Sequence, residues 1–262
     1  MMPFSRRLTG LTVLVTRPKA QAQDLASRLR KAGCRIVLAP LVKTVRPSSF
    51  AGLDKAILRL GAYHAAVFTS SRGVSAFFDR ARRLGLKVPT RPGKVFAVGK
   101  STASALAAAG WDGAAVPRVE NTEGLARVMK GLSGKRVLFP RAREGRDALP
   151  RLLRRAGARV TLVEAYRTVP DPAGRRTLLA AVGRGVDAAV FASPSAARAF
   201  HRTLGPSGVK RFLERGGAVS IGPTTTTGLK ALGIGPVIEA SGTGTGPLLD
   251  AVVRCLARKG RP

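Results

Sequence analysis

The residues best suited to chemistry in this sequence are hydroxyl and guanidinium side chains, which recur in turns directly after short apolar segments. Such side chains donate hydrogen bonds and supply positive charge, so together they suit a small, multiply negative ligand. The candidates in these turns are Thr16, Arg17, Ser70, Ser71, Ser101, Thr102, Arg141, Arg143, Ser193, Ser195, Thr224 and Thr225. A plainer interpretation stays open for each Ser and Thr, because such residues also cap helices and stabilise them by about 1 kcal/mol.

Two more specific motifs are not supported. GKST at Gly99 resembles the end of a phosphate-binding loop, but Lys94 stands where that motif needs its first glycine. His64 precedes its apolar segment, at the end opposite the turns, and His201 lies within a helical pattern where a solvated side chain is expected. We therefore expect neither a nucleotide-binding loop nor a histidine base.

These turns belong to an internal sequence repeat. GLTVLVTRP at Gly10 aligns with GKRVLFPRA at Gly134, an offset of 134 − 10 = 124 residues. AVFTSS at Ala66 aligns with AVFASP at Ala189, an offset of 189 − 66 = 123 residues. Each block contains a short apolar strand, a turn, and a helix with apolar residues three to four apart, and such units form parallel sheets flanked by helices. The sequence thus predicts an α/β fold with two similar lobes, whose ligands bind beyond the carboxyl ends of the strands.

Two Pro-containing segments, VRPSS at Val45 and VPDPA at Val169, occupy equivalent places in the two copies and are predicted to link the lobes. If both cross between lobes, each lobe is completed by the first strand–helix unit of the other copy. One lobe then comprises 1–42 plus 170–262 and the other 46–166, with a two-stranded linker at 43–45 and 167–169. The candidate residues would then face one cleft between the lobes.

Tyr166 breaks the symmetry between the two copies, because Val42 is its counterpart. Both copies must pack in the same way, whereas a catalytic group is needed only once. A position at which the copies differ is therefore a candidate for a functional residue. A tyrosine at the carboxyl end of a strand is able to donate a proton or a hydrogen bond into the cleft. The alternative, an aromatic ring that packs over the linker, stays open. Trp111 aligns with Ile234, which predicts a role in the core or in a strand.

The charge balance constrains the sign of the partner. Lys and Arg number 46 against 14 Asp and Glu, a formal net charge of +32, which attracts anions, nucleic acid or anionic lipid. The basic residues are spread over nearly every predicted helix, as is typical of solvated faces. Aromatic residues make up only 5% and no nucleic-acid-binding motif is found, so no specific nucleic acid is expected. No apolar stretch reaches the roughly 18 residues of a membrane span, so no membrane partner is expected.

Cysteine usage and the first residues indicate the compartment. Cys34 and Cys255 are far apart and lack metal-ligand spacing, so neither a disulfide framework nor a zinc site is suggested. Arg6 and Arg7 resemble part of a twin-arginine export signal, but the apolar run that follows ends by Val15, the length of a strand. We therefore expect a protein of the reducing cytoplasm.

The ordered combination of these motifs resembles the uroporphyrinogen-III synthase family, from about Leu11 to Val253. The motifs that carry the resemblance are VLVTRP at Val13, Gln21-Ala22, FTS at Phe68, AVG at Ala97, Thr102-Ala103, Pro140-Arg141, Gly145-Arg146, Tyr166, SPS at Ser193 and IGPTT at Ile221. The sequence departs from the family pattern at Arg72, where Asn is frequent, and at Ala192, where Thr is frequent.

The resemblance implies conversion of the linear tetrapyrrole hydroxymethylbilane, with loss of water, into a macrocycle whose last pyrrole ring is inverted. It implies no cofactor and no metal, and we expect a monomer. Tyr166 matches the family's candidate acid, Thr102 and Thr225 match its cleft threonines, and Arg146 joins the candidate substrate-binding residues. The alternatives are a two-lobed ligand-binding or regulatory protein that has lost catalysis and, with less support, a basic nucleic-acid binder.

Overall fold

A computed structural model describes residues 8–87, 89–242 and 244–259. The strands in these ranges are β1 (Thr12–Val15), β2 (Arg35–Leu38), β3 (Val42–Val45), β4 (Ala65–Phe68), β5 (Lys94–Ala97), β6 (Arg136–Ala142), β7 (Arg159–Pro170), β8 (Ala188–Phe191), β9 (Gly217–Ser220) and β10 (Val237–Glu239). The helices are α1 (Lys19–Lys31), α2 (Ala51–Leu58), α3 (Ser71–Arg83), α4 (Lys100–Ala108), α5 (Thr122–Val128), α6 (Ala148–Arg155), α7 (Pro172–Arg184), α8 (Pro194–Arg215), α9 (Pro223–Lys230) and α10 (Thr245–Lys259). Helix α8 has a kink at Gly205, which has non-helical backbone angles.

The chain separates into two compact units. Unit 1 combines the chain up to Lys43 with the chain from Val169 onward, and unit 2 is Thr44–Thr168. The chain leaves unit 1 within β3 and returns to it within β7, and these two strands are hydrogen-bonded neighbours. The two crossings are thus made by paired strands.

Each unit contains one five-stranded sheet, ordered β10-β9-β8-β1-β2 in unit 1 and β3-β7-β6-β4-β5 in unit 2. Under the sequence repeat β6 and β7 correspond to β1 and β2, while β4 and β5 correspond to β8 and β9. Each sheet therefore combines strands from both copies of the repeat. The interior strand β1 is parallel to both β2 and β8, and β6 is parallel to both β4 and β7.

The central strands are apolar throughout because helices cover both faces of each sheet. All four residues of β4 and of β8, both with the sequence AAVF, are buried, as expected for parallel strands between two layers of helices. Trp111 is buried in the core of unit 2, where its indole Nε1 donates a hydrogen bond to the carbonyl of Pro89 at 3.0 Å. The prediction that Trp111 belongs to the core is confirmed. Among the described residues, no helix is long and apolar enough to cross a membrane.

Candidate active site

Tyr166 lies in unit 2 at the end of the part of β7 that pairs with β6. The register shifts there, because Arg141 pairs with Glu164 while Ala142 pairs with Tyr166, which leaves Ala165 as an extra residue. Successive side chains of a strand point to opposite faces, and a bulge of this kind re-aims the next side chain. Ala165 and Tyr166 consequently both pack into the core beneath α3. The sequence places Tyr166 at a strand end, but β7 continues to Pro170, so the predicted linker is itself part of the strand.

The hydroxyl of Tyr166 meets the beginning of α3. It lies 3.1 Å from Ser70 Oγ, and Ser70 Oγ accepts a hydrogen bond from the Gly73 amide at 3.0 Å. Ser70 therefore caps α3 and contacts the phenol with the same oxygen atom. A Cβ atom on Gly73 would lie 3.9 Å from Tyr166 Cε1, an ordinary contact, and 3.3 Å from Ser70 Oγ, a tight one, so the absence of a side chain at this position leaves room for the cap. Ser71 follows as the first residue of α3.

The predicted arginines of unit 2 have different surroundings. Arg141, with 14% of its side chain exposed, donates to the Arg146 carbonyl and to Asp147 Oδ1, both at 2.8 Å. Arg141 therefore holds the loop after β6 in place. Arg143 is exposed, and its Nη1 donates to Ser48 Oγ at 3.5 Å, while the Arg146 side chain is exposed. Arg143 and Arg146 are the two that present their charge to solvent.

The beginning of α4 carries an internal carboxylate that the sequence analysis missed. Thr102 is buried in the first turn, as only 4% of it is exposed. The Lys100 amide donates to Glu120 Oε1 at 3.1 Å, and a Cβ atom on Gly99 would overlap the same carboxylate. A helix N-terminus attracts anions, and here Glu120 is the anion. The two residues are 20 positions apart in sequence, so no local sequence pattern predicts the contact.

The equivalent helix of unit 1, α9, contains a second hydroxyl–carboxylate group. Thr225 is buried at 3% exposure, whereas Thr224 is exposed. Next to them, Thr226 Oγ1 lies 2.6 Å from the buried Ser220 Oγ and donates to Glu239. Glu239 was not among the predicted residues, although it ends β10 and the rule that ligands bind at the carboxyl ends of strands points to it.

The remaining predicted residues of unit 1 follow β1 and β8. Ser193 caps α8 by accepting a hydrogen bond from the Ala196 amide at 3.2 Å. Ser195 Oγ accepts one from Arg198 Nη2 at 3.3 Å. Arg17 is half-buried in the turn after β1, next to Thr16, whose Oγ1 donates to the Val190 carbonyl at 2.8 Å. Ser193 and Ser70 are repeat equivalents and both are caps, but only Ser70 has a tyrosine beside it.

Metal-ligating residues do not gather anywhere in the described ranges: no group of three or more His, Cys, Asp or Glu there is arranged to hold an ion. What the geometry offers is a phenol whose hydroxyl contacts Ser70 Oγ at the beginning of α3.

Comparison with known proteins decides the family. The model of the family described as "Uroporphyrinogen-III synthase HemD" matches residues 23–250. The chain belongs to the uroporphyrinogen-III synthase family. The uroporphyrinogen-III synthase of Synechococcus elongatus is 31% identical over 173 residues, which cover 63% of this chain and 66% of that relative, just under two thirds of its length. A putative uroporphyrinogen-III synthase of Methanothermobacter thermautotrophicus is 29% identical over 227 residues, which cover 84% of this chain and 89% of the relative.

Solved structures of uroporphyrinogen-III synthases share the fold. A mutant of the Thermus thermophilus enzyme superposes with a TM-score of 0.74 at 22% identity, covering 95% of this chain and all of that one. The Helicobacter pylori enzyme gives a TM-score of 0.61 at 20% identity, covering 93% and 99% of the two chains. The fold class and the family predicted from the sequence are both confirmed. As a member of the uroporphyrinogen-III synthase family, the chain belongs to the enzymes of porphyrin biosynthesis.

Proposed function

We propose that this chain converts hydroxymethylbilane, with loss of water, into uroporphyrinogen III, in which the terminal pyrrole ring is inverted. Family membership supports this reaction, because the match spans residues 23–250. The structural observation that carries the proposal is the Tyr166–Ser70 contact, which holds a proton donor at the beginning of α3. No cofactor is needed for a dehydrating cyclisation of this kind.

Tyr166 acts as the general acid. Its phenolic proton combines with the hydroxyl that leaves the hydroxymethyl carbon, which releases water and gives an azafulvene. Ser70 donates a hydrogen bond to the phenol oxygen in this step, which directs the phenolic proton toward the substrate and stabilises the phenolate that forms. The proton that the rearranged ring releases when it regains aromaticity returns to Tyr166. Such proton transfer contributes typically about 10² to 10⁴ in rate.

Positioning is the larger part of the catalysis. The azafulvene also closes without an enzyme, through the unsubstituted end of the terminal ring, to give isomer I. To give isomer III, the chain must hold the substrate curled so that the terminal ring attacks through its substituted carbon and forms a spiro intermediate. Restricting the reactants to one geometry in this way lowers the barrier substantially.

The substrate carries eight carboxylates, so the candidate binding residues are the donors described above. They are Arg17, Ser70, Ser71, Thr102, Arg141, Arg143, Arg146, Ser193, Ser195, Thr224 and Thr225. Arg143 and Arg146 are exposed in unit 2, and Thr224 is exposed in unit 1, so these three are accessible without rearrangement. Arg141 already donates a hydrogen bond to Asp147, so it supports the loop that carries Arg143 and Arg146. A shared cleft, a monomeric state and a cytoplasmic location stay predictions from the sequence.

The reaction is tested by supplying hydroxymethylbilane and separating the isomers of the cyclised product. We expect isomer III to exceed isomer I by far and to form faster than the spontaneous product. Isomer I alone, formed at the spontaneous rate, would contradict the proposal and would favour a ligand-binding protein.

A further inference from the structure

The two units contain cavities at equivalent places of the sequence repeat. In unit 2 a cavity of about 230 Å³ lies between β3, the end of β7 and α3, with Tyr166 as one wall. In unit 1 a cavity of about 280 Å³ is lined by Leu41, Pro170 and Ala199, among others. The repeat offset of 124 makes Ala165 the counterpart of Leu41, and the offset of 123 makes Ala76 the counterpart of Ala199. Both Ala165 and Ala76 line the cavity of unit 2. The cavity is therefore a feature of the repeated fold.

Charged side chains line both cavities, since Asp171, Arg175 and Arg202 line that of unit 1, but only the cavity of unit 2 is lined by a tyrosine. Arg46 and Arg83 line the cavity of unit 2 beside Tyr166. Their repeat counterparts are prolines, since 46 + 124 = 170 and 83 + 123 = 206, and Val42 is the counterpart of Tyr166. Shared packing accounts for the shape of both cavities, but it does not account for a phenol in one copy alone.

The other charges around this cavity are neutralised within unit 2. Arg80 donates to both oxygens of Asp54 at 2.6 Å, and its guanidinium carbon lies 4.2 Å from the centroid of the Phe50 ring. Asp79, which also lines the cavity, is paired with Arg82. Arg80 and Phe50 therefore form a fixed wall that contributes little free charge.

Arg46 and Arg83 remain as the uncompensated charges. Among the residues that the structure describes, neither side chain has a hydrogen-bond or ion-pair partner. Planar guanidinium groups bind carboxylates through paired, charge-assisted hydrogen bonds. A water occupies roughly 30 Å³ of liquid volume, so a cavity of about 230 Å³ has room for a carboxylate on a short aliphatic stem.

We propose that this cavity is a subsite for one carboxylate side chain of the substrate, bound by Arg46 and Arg83. This inference rests on the proposed function, and it assigns to these two arginines a role in binding the substrate. A carboxylate held here lies beside Tyr166, which lines the same cavity. The repeat-equivalent cavity of unit 1 is lined by Arg175 and Arg202 but by no tyrosine.

The test compares steady-state kinetics of Arg46→Gln and Arg83→Gln with hydroxymethylbilane at constant ionic strength. Arg59→Gln is the matched control, because Arg59 is exposed, lies outside the cavity and has no side-chain partner among the described residues. We expect KM to rise roughly tenfold in each cavity variant, which is about 1.4 kcal/mol of binding, with kcat nearly unchanged. Arg59→Gln should keep the wild-type KM, and Arg46→Lys should recover part of the loss because it restores the charge.

Four outcomes separate the possibilities. A KM that rises only as far in the cavity variants as in Arg59→Gln overturns the subsite, because the effect is then one of overall charge. A fall in kcat with an unchanged KM overturns it as well. If wild-type protein makes no isomer III, the proposed function fails first, whereas normal isomer III with unaffected cavity variants removes the subsite alone. Thermal unfolding of each variant verifies that it is folded.

Discussion

Tyr166 and Ser70 are 96 positions apart in the chain, yet their hydroxyl oxygens lie 3.1 Å from each other. Two features produce this contact: the bulge at Ala165, which turns Tyr166 toward α3, and the cap that Ser70 makes at the beginning of that helix. The phenol is thus oriented by a residue whose position is fixed by secondary structure.

Replacing Tyr166 with Phe should slow formation of isomer III by roughly 10² to 10⁴, because the proton donor is lost while the ring is kept. The measurement is the initial rate of isomer III formation, with the isomers separated. Tyr63→Phe is the matched control, since Tyr63 is the other tyrosine of the chain and packs against the same core. Equal rates for Tyr166→Phe and wild type would remove Tyr166 from the mechanism.

Replacing Ser70 with Ala should have two separable effects. Loss of the cap should lower the free energy of unfolding by about 1 kcal/mol, and loss of the Tyr166 contact should lower kcat roughly tenfold. Asn121→Ala removes a cap of the same kind from α5, where Asn121 Oδ1 accepts from the Gly124 amide at 2.7 Å. Denaturant unfolding should show similar losses in both variants, and kinetics should show a loss only in Ser70→Ala. A similar fall of kcat in both would mean that Ser70 acts through stability alone.

Gly174 should not tolerate a side chain. A Cβ atom there would overlap the carbonyl oxygen of Pro40, a backbone atom that cannot turn aside. Gly174→Ala should therefore destabilise unit 1 by about 1 to 3 kcal/mol or more. Gly183→Ala, in the same helix but with open space around it, should be neutral or stabilise by up to about 1 kcal/mol. Denaturant unfolding of the two variants measures the difference, and equal stabilities would mean that α7 shifts freely away from Pro40.

Acid should weaken the Asp54–Arg80 pair. The hydrogen bonds from Arg80 hold the pKa of Asp54 below its ordinary value of 3.8. Because the folded-state pKa is the lower one, the stabilisation is fully present above the unfolded pKa of about 3.9 and is lost as the pH falls through the folded-state value. Asp54→Asn should therefore be less stable than wild type at neutral pH, and the difference should shrink below about pH 4. A stability difference that is constant down to the lowest pH at which the protein is folded would contradict this assignment.

The fold follows from local features of the sequence. AVFTSS at Ala66 predicts a buried strand, a turn and a helix N-terminus, and the structure contains β4 followed by α3 with Ser70 as its cap. Such elements are predictable because apolar runs and capping residues act over only a few positions. The repeat supports the prediction, because the same sequence pattern in the second copy forms β8 and α8.

The site was less predictable because its geometry depends on residues distant in sequence. The bulge at Ala165 is a one-residue shift between two paired strands, and neither strand carries a local signal for it. Glu120 contacts the Lys100 amide although helix α4 and the segment after it separate the two in sequence, so its presence at the start of α4 depends on tertiary packing. Tyr166 was identified because a repeat exposes the positions at which its two copies differ.

The crossing of the chain within β3 and β7 also dictates an order of events during synthesis. The strands β1 and β2 are synthesised before unit 2, but β8, the other partner of β1, follows only after all of unit 2, which has 168 − 44 + 1 = 125 residues. At about 5 to 20 residues per second, synthesis of unit 2 alone takes roughly 6 to 25 s before that partner emerges. Unit 2 is continuous and is able to fold as it emerges, whereas the edge of β1 that pairs with β8 stays open until β8 is made, which leaves this part of the nascent chain accessible to chaperones and proteases.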